Sequence, residues 1–199
     1  NRAKDSTTFL HSIKSGKVDV HLRYFFMATD NQKGLTDYFA NAIGGALRYE
    51  TAPFHGFQVA ASGSFIFNIG SSDLSKPDSI TGQMNRYEIG LFDIENPKNK
   101  KDITDLEEFY IKYNIKESHI IFGRQYINTP FINLQDGRMR PTAVVGLWSE
   151  INAIKKLHLE GGILYNISPR STIKWFSPGE SIGVYATGVN TDGTKALYA

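Results

Sequence analysis

Phe57-Gln58-Val59-Ala60-Ala61-Ser62-Gly63-Ser64-Phe65-Ile66-Phe67-Asn68-Ile69 is the stretch that decides the fold class. Its odd positions read Phe57, Val59, Ala61, Gly63, Phe65, Phe67 and Ile69; its even positions read Gln58, Ala60, Ser62, Ser64, Ile66 and Asn68. One set is greasy and the other is small and largely polar. Successive side chains of a strand point to opposite faces, so this period of two is a β-strand between two different environments. A helix would mix both sets on every face.

The alternation recurs on both sides of that stretch. Val18, Val20, Leu22, Tyr24 and Phe26 alternate with Asp19, His21, Arg23, Phe25 and Met27. Ile43 to Glu50, Phe109 to Ile115 and Leu157 to Ile167 repeat it, and weaker strands fit Ser118–Tyr126 and Thr142–Asn152. The count is about seven antiparallel strands with no long helix. Asp102–Tyr110 is expected to begin with a short helical turn.

Composition narrows the class. The chain has 199 residues, 41% of them hydrophobic, so it can bury a core and is not a disordered chain. It has no Cys, which excludes disulfides and thiolate-bound metals. No apolar run approaches the roughly 20 residues of a membrane helix. A formal net charge of +2 gives no argument for nucleic-acid binding. The five His are scattered without metal-ligand spacing, and no phosphate loop or nucleophile elbow is present. No cofactor, no metal and no enzyme chemistry is expected.

The charged residues share one face with the small ones: Asp19, His21, Arg23, Arg48, Glu50, Glu108, Lys112, His158 and Glu160. A soluble barrel would turn that face outward; a transmembrane barrel would turn it inward around water. Three features favour the membrane. Runs such as 57–69 exceed the 5–6 residues usual for globular strands and meet the roughly 9–11 that a tilted membrane strand needs. Aromatics such as Tyr24, Phe26, Tyr49, Phe65, Phe67 and Tyr165 lie near the ends of their apolar rows, as in interfacial girdles. Breaks at Thr51–Gly56, Lys116–Glu117 and Ala153–Lys156 are short, whereas Asp30–Ala40, Gly70–Leu106, Ile127–Pro141 and the stretch from Ser168 onward are long. Short turns on one side and long loops on the other mark an outer-membrane barrel. Residues 1–16 are then a periplasmic segment, and the third long connection, 127–141, lies where general porins fold a loop into the lumen. A soluble carrier of an apolar ligand and an outer-membrane adhesin or assembly barrel without channel activity are the alternatives.

Three stretches resemble one family in order. Gly123-Arg124-Gln125-Tyr126-Ile127-Asn128-Thr129-Pro130-Phe131-Ile132-Asn133-Leu134-Gln135-Asp136-Gly137-Arg138-Met139-Arg140-Pro141 resembles the third-loop signature of OprD-like outer-membrane porins. Val20-His21-Leu22-Arg23-Tyr24-Phe25-Phe26-Met27 and Ala46-Leu47-Arg48-Tyr49-Glu50-Thr51 resemble its first two strands. The resemblance implies monomeric barrels of about eighteen strands, so this chain would be the N-terminal part of one barrel domain. It implies passive passage of small hydrophilic solutes, such as amino acids and carboxylates, through an eyelet in the outer membrane of a Gram-negative bacterium. Basic residues of the wall would face acidic and carbonyl groups of the third loop.

On this chain the constriction-loop candidates are Asn133, Gln135, Asp136, Gly137, Arg138 and Arg140. The wall candidates are Arg23, Arg48, Lys112 and Arg124, with Glu50, Glu108 and Glu160 interleaved. This set leans basic and would favour anions slightly. Expected partners are the solutes, outer-membrane lipid and lipopolysaccharide; the basic run Lys98–Lys101, beside Asp102 and Asp105, reads as a solvated face.

Overall fold

The computed structural model describes residues 5–85, 87–98, 103–130, 132, 134, 138–152, 156–183 and 197–198. One antiparallel sheet runs in sequence order. Its strands are β1 (Lys17–Thr29), β2 (Tyr38–Glu50), β3 (Phe57–Ser71), β4 (Ile103–Ile115), β5 (Ser118–Gln125), β6 (Ala143–Ile151), β7 (Leu159–Ser168) and the two-residue β8 (Leu197–Tyr198). Every strand pairs with its chain neighbour, which is an up-and-down meander. The seven long strands are those expected. Among the described residues, no strand joins β1 to β8. Free strand edges in hydrocarbon leave unpaired N–H and C=O groups that cost several kcal/mol each, so closure takes further strands. The sheet is part of a larger barrel.

The outward row is apolar and uncovered. Val20 is 67% exposed, Leu22 71% and Phe109 57%. Each large apolar side chain left in water forgoes about 1.5–3 kcal/mol, and this row would outweigh the roughly 5–15 kcal/mol that holds a domain together. The row is a lipid-facing surface. That overturns the soluble-carrier alternative, which needs the same row inside.

The connections alternate as expected, with adjusted bounds. Residues 30–37, 72–102, 126–142 and 169–196 join strands at one end; 51–56, 116–117 and 152–158 join them at the other. Tyr38–Ala40 pairs with β1, and Ala40 also with Ser71 of β3, so the segment belongs to the sheet rather than to a loop. Leu157 and His158 lie in the turn before β7.

Three register shifts explain where period-two reading fails. The β3–β4 ladder shifts between Ser62 and Gly63, so Ser62 faces Glu108 while Gly63 faces Leu106. Glu107 is the extra residue of a bulge. Strand pairing continues through it to Ile103, where the alternation had been lost and a helical turn expected; Asp102 lies outside the described residues. The β6–β7 ladder shifts between Val145 and Gly146, leaving Tyr165 unpaired. Ile167 therefore stands with Leu164 on the inner side, 7% exposed, rather than in the outward row. A third shift falls between Asn41 and Ala42.

A short helix, α1 (Phe9–Lys14), precedes β1, with the Thr8 hydroxyl accepting from the His11 N–H at 3.2 Å. Six residues are too few for periodicity to reveal.

The inner face is wet only in part. Leu74, Leu91 and Phe92 of the 72–102 connection are at most 1% exposed and pack with Met139 against Tyr38, Ala40, Ala42, Ile66 and Ile103 of the wall. Each such burial contributes about 1.5–3 kcal/mol toward holding the connection inside the sheet's curve. Across β6 and β7, Val144, Trp148, Leu164 and Ile167 pack with Ile127 and Ile132.

The two rows differ in what they tolerate. Leu22→Arg, in the lipid-facing row, is expected to lose about 2–4 kcal/mol if it sits near the membrane midplane. His21→Arg, one residue away on the inner row, is expected to fold normally. Urea titration of the intact protein in lipid vesicles checks both.

Candidate functional site

The inner face carries a continuous set of charges between the short-turn end and the inward-folded connections. Arg48 on β2 is the centre of it. Its guanidinium lies 3.2 Å from Asp19 on β1 and 3.1 Å from Glu108 on β4, and it also donates to Glu50. It donates to the Tyr110 hydroxyl at 2.6 Å as well. Lys112 adds a 3.6 Å contact to Glu50. These partners come from β1, β2 and β4, so the network reaches across β3 and ties four strands together while keeping the wall polar. Lys17 lies 2.6 Å from Asp19, so three cations meet three carboxylates and the network is close to neutral.

Arg23 behaves differently. It stands opposite Gly44 in the β1–β2 ladder and donates to the backbone carbonyl of Arg138. Its charge meets a dipole instead of a carboxylate. Gly44 is required beneath that contact: a Cβ there would lie 2.8 Å from Met139 Cε and 2.6 Å from the Phe65 carbonyl oxygen. The missing side chain lets the loop settle on the wall.

Arg140 holds the loop from the other side. It is 2% exposed and lies 2.9 Å from Asp105 and 3.2 Å from Glu107. It also donates to the Thr172 carbonyl and, at 3.3 Å, to the Ser168 hydroxyl. Tyr126 donates to the second oxygen of Glu107. The bulge makes this possible. It turns Glu107 and Glu108 to the same side of the sheet, one toward Arg140 and the other toward Arg48.

Between loop and wall remains a cavity of about 630 Å³. Arg23, Arg48 and His21 line it from the wall with Asp19, Glu107 and Glu108; Tyr126, Met139 and Pro141 line it from the loop.

The sequence candidates fall into several groups. Arg23, Arg48, Glu50, Glu108 and Lys112 stand on the inner wall. Glu160 is also on that row, but at the short-turn end, opposite Glu150 and 3.7 Å from His158. Arg124 corrects the expectation: it stands opposite Phe109 and Val145 of the outward row. Its guanidinium donates to the Leu106 carbonyl at 2.9 Å and covers the Trp175 ring at 4.8 Å, away from the cavity. Arg140 is a second correction. It belongs to the loop but is buried in its anchor and does not line the cavity. Arg138 contributes its carbonyl to Arg23 and donates its own guanidinium to the Tyr87 carbonyl at 2.8 Å. Asn133, Gln135, Asp136 and Gly137 lie outside the described residues.

Asp105, Glu107 and Tyr126 were not expected. The signal that could have found them is the pair Glu107-Glu108. Adjacent carboxylates cannot both face water in a regular strand with one lipid face, so one bulge was implied.

At the far end, Asp78 ties two connections together. Its carboxylate accepts from the Thr81 N–H and the Thr36 N–H, each at 2.7 Å, and from the Ile80 N–H at 3.0 Å. These donors hold its carboxyl well below the usual carboxylate range.

A sheet greasy outside, charged inside and narrowed by a loop defines an outer-membrane β-barrel pore. A family model described as outer membrane porin, OprD family, matches residues 12–192, and the chain belongs to that family. Among solved structures it is similar to OccK9 (OpdG) of Pseudomonas aeruginosa at 18% identity and a TM-score of 0.67, over 83% of this chain and 42% of that one. It is also similar to OpdK of the same organism, solved with vanillate: 18% identity, TM-score 0.63, 94% of this chain and 43% of that one. OccAB1 of Acinetobacter baumannii gives 15% identity, a TM-score of 0.65 and coverage of 87% and 39%. Identities this low establish the common fold. The chain spans about two-fifths of the length of these structures. Against curated protein sequences there is no significant match. Family and neighbours place the protein in the outer membrane of a Gram-negative bacterium.

Two outcomes test these anchors. Arg140→Ala leaves Asp105 and Glu107 without their cation and is expected to cost roughly 3–5 kcal/mol. Freed from the wall, the loop should give larger, noisier conductance steps in planar bilayers. The Asp78 clamp binds fewer protons folded than unfolded. Its contribution is complete above about pH 4 and fades as pH falls through the lower, folded value. Asp78→Asn is expected to speed trypsin cleavage after Lys33 at pH 7 relative to wild type.

Proposed function

We propose that the protein is a passive channel for small hydrophilic solutes, with amino acids and carboxylates as the fitting class. The barrel would be monomeric, with the short turns and residues 1–16 facing the periplasm and the long connections facing outside. The observation that carries this reading is the cavity between the 126–142 loop and the inner wall. At about 630 Å³ it has the size of a small-molecule site. It is bounded by fixed charges and by low-dielectric walls that strengthen them.

Charge selection would rest on Arg23. Arg48 is surrounded by Asp19, Glu50 and Glu108 and offers little net attraction. Arg23 meets only a carbonyl among its described hydrogen-bond partners, so its charge remains for a passing anion. A solute carboxylate would pass Arg23 and then Arg48, while Asp19, Glu107 and Glu108 receive an ammonium group. The mechanism needs no bond making. It needs water, a narrow level and charges that bind weakly enough to release.

The intact protein, reconstituted in planar bilayers, tests this. Discrete conductance steps are expected. Arg23→Ala should lower the anion-to-cation permeability ratio several-fold, since one charge at 4 Å contributes about 1 kcal/mol even in water-like surroundings. An unchanged ratio removes Arg23 from selection. The absence of steps would favour a surface barrel without channel activity.

A further inference from the structure

The lumen is not the only part of this chain with an unexplained surface. Helix α1 is short and exposes an apolar face: Phe9 is 63% exposed, Leu10 60% and Ile13 41%. Its opposite side is spent on the sheet. Ser12 is 2% exposed, donates its hydroxyl to the Ala52 carbonyl and accepts from the Ala52 N–H at 3.0 Å through its own carbonyl. The helix is therefore clamped on the 51–56 turn with its apolar face turned away from it.

Which side of the wall α1 occupies follows from Tyr49. Tyr49 pairs with Val18 and alternates with the inward Arg48 and Glu50, so it belongs to the lipid-facing row. Its hydroxyl donates to the Ile13 carbonyl. A side chain that leaves the sheet outward can reach α1 only if the end of the helix lies on the outer side. The aromatic contact agrees: Phe9 packs edge-on against Phe54 at 6.1 Å, and Phe54 is bridged to Phe57 at the start of the outward row of β3. The exposed face of α1 thus continues the lipid-facing surface past the end of the strands.

We infer that α1 is an interfacial anchor: it lies along the membrane surface at the short-turn rim, with Phe9, Leu10 and Ile13 set into the acyl boundary of the phospholipid leaflet. The occupant is a glycerophospholipid, for two reasons. The apolar face is continuous with a surface that is already in lipid, and exposed lysines stand at the same end of the sheet. Lys14 closes the helix, and Lys116 and Lys156 sit in the other short turns. Ammonium groups at that level meet phosphates, while Asp5, bonded to the Gly56 N–H at 3.3 Å, and Glu117 are the nearby carboxylates. The area is small, so α1 works as one added contact on a barrel that is already inserted. It would fix the depth and tilt of this rim, much as interfacial aromatics fix spanning segments. Only the name of the leaflet, the periplasmic one, rests on the orientation proposed above.

The test uses the intact protein in vesicles. Phe9→Trp provides a reporter, read in a background where Trp148, Trp175 and every further Trp of the intact protein are replaced by Phe. Phospholipids brominated high on the acyl chain are expected to quench the introduced indole strongly, and aqueous acrylamide weakly. Lys14→Gln should reduce the extra quenching seen with phosphatidylglycerol over phosphatidylcholine. Strong acrylamide quenching without bromine quenching would put α1 in water and overturn the inference. Quenching by neither would mean that another part of the barrel, or a partner protein, covers the helix, and would overturn it too. None of these readouts depends on conductance, so the anchor and the channel can fail separately.

Discussion

A sheet in hydrocarbon must pair every backbone group that it shows to lipid, and it must show lipid an apolar row. Both demands fall on the same strands here. Pairing makes the meander from β1 to β7, in which each strand bonds to its chain neighbours. The apolar requirement fixes the register, because a slip of one residue would exchange Leu22 for Arg23 at the membrane face. Most of the charge is thereby forced to the other side, Arg124 near the end of β5 excepted. Arg23, Arg48, Glu50, Glu108 and Lys112 line the lumen because the lipid excludes them from the only alternative.

That concentration of charge brings its own difficulty. A loop that folds into such a space must satisfy its own backbone and meet a wall of mixed sign. The chain handles this with one irregularity. The extra residue at Glu107 turns two successive carboxylates inward, so one binds the wall arginine Arg48 and the other the loop arginine Arg140. Arg140 is thus a structural pin, held by Asp105, Glu107 and the Thr172 carbonyl. Arg23, by contrast, is left against the Arg138 carbonyl. The two arginines differ in their partners: Arg140 is neutralised by carboxylates in an anchor, while Arg23 meets a carbonyl and lines the cavity.

The inward packing of the 72–102 connection extends the same logic. Leu74, Leu91 and Phe92 fill the outer part of the sheet's curve against Ala40, Ala42 and Ile66. Small residues on the inner row of β2 give that space. The sequence pattern puts Ala40 in a loop and begins the strand at Ile43, so their purpose appears only once the connection lies against them.

Much of the architecture was legible in residues 57–69 and their repeats. Strand number, the identity of the lipid-facing row and the alternation of short and long connections follow from a period of two and from the positions of Gly, Pro and charge. These are local properties, set by which way a side chain points from an extended backbone. Bulges at Glu107 and Tyr165 were not legible, because an extra residue is defined by its partner strand. Hence the helical turn expected near Asp102, the misplaced Ile167 and the unforeseen roles of Asp105, Glu107 and Tyr126. Arg124 and Arg140 show the same limit. A sequence states that a guanidinium is present; whether it meets water, a carboxylate or the Trp175 ring depends on chain segments far away along it. The sequence by itself determined a lipid-facing barrel sheet with a charged interior. Tertiary structure decided which of those charges are consumed in holding the loop and which line the cavity, because ion pairing is settled by distance in space.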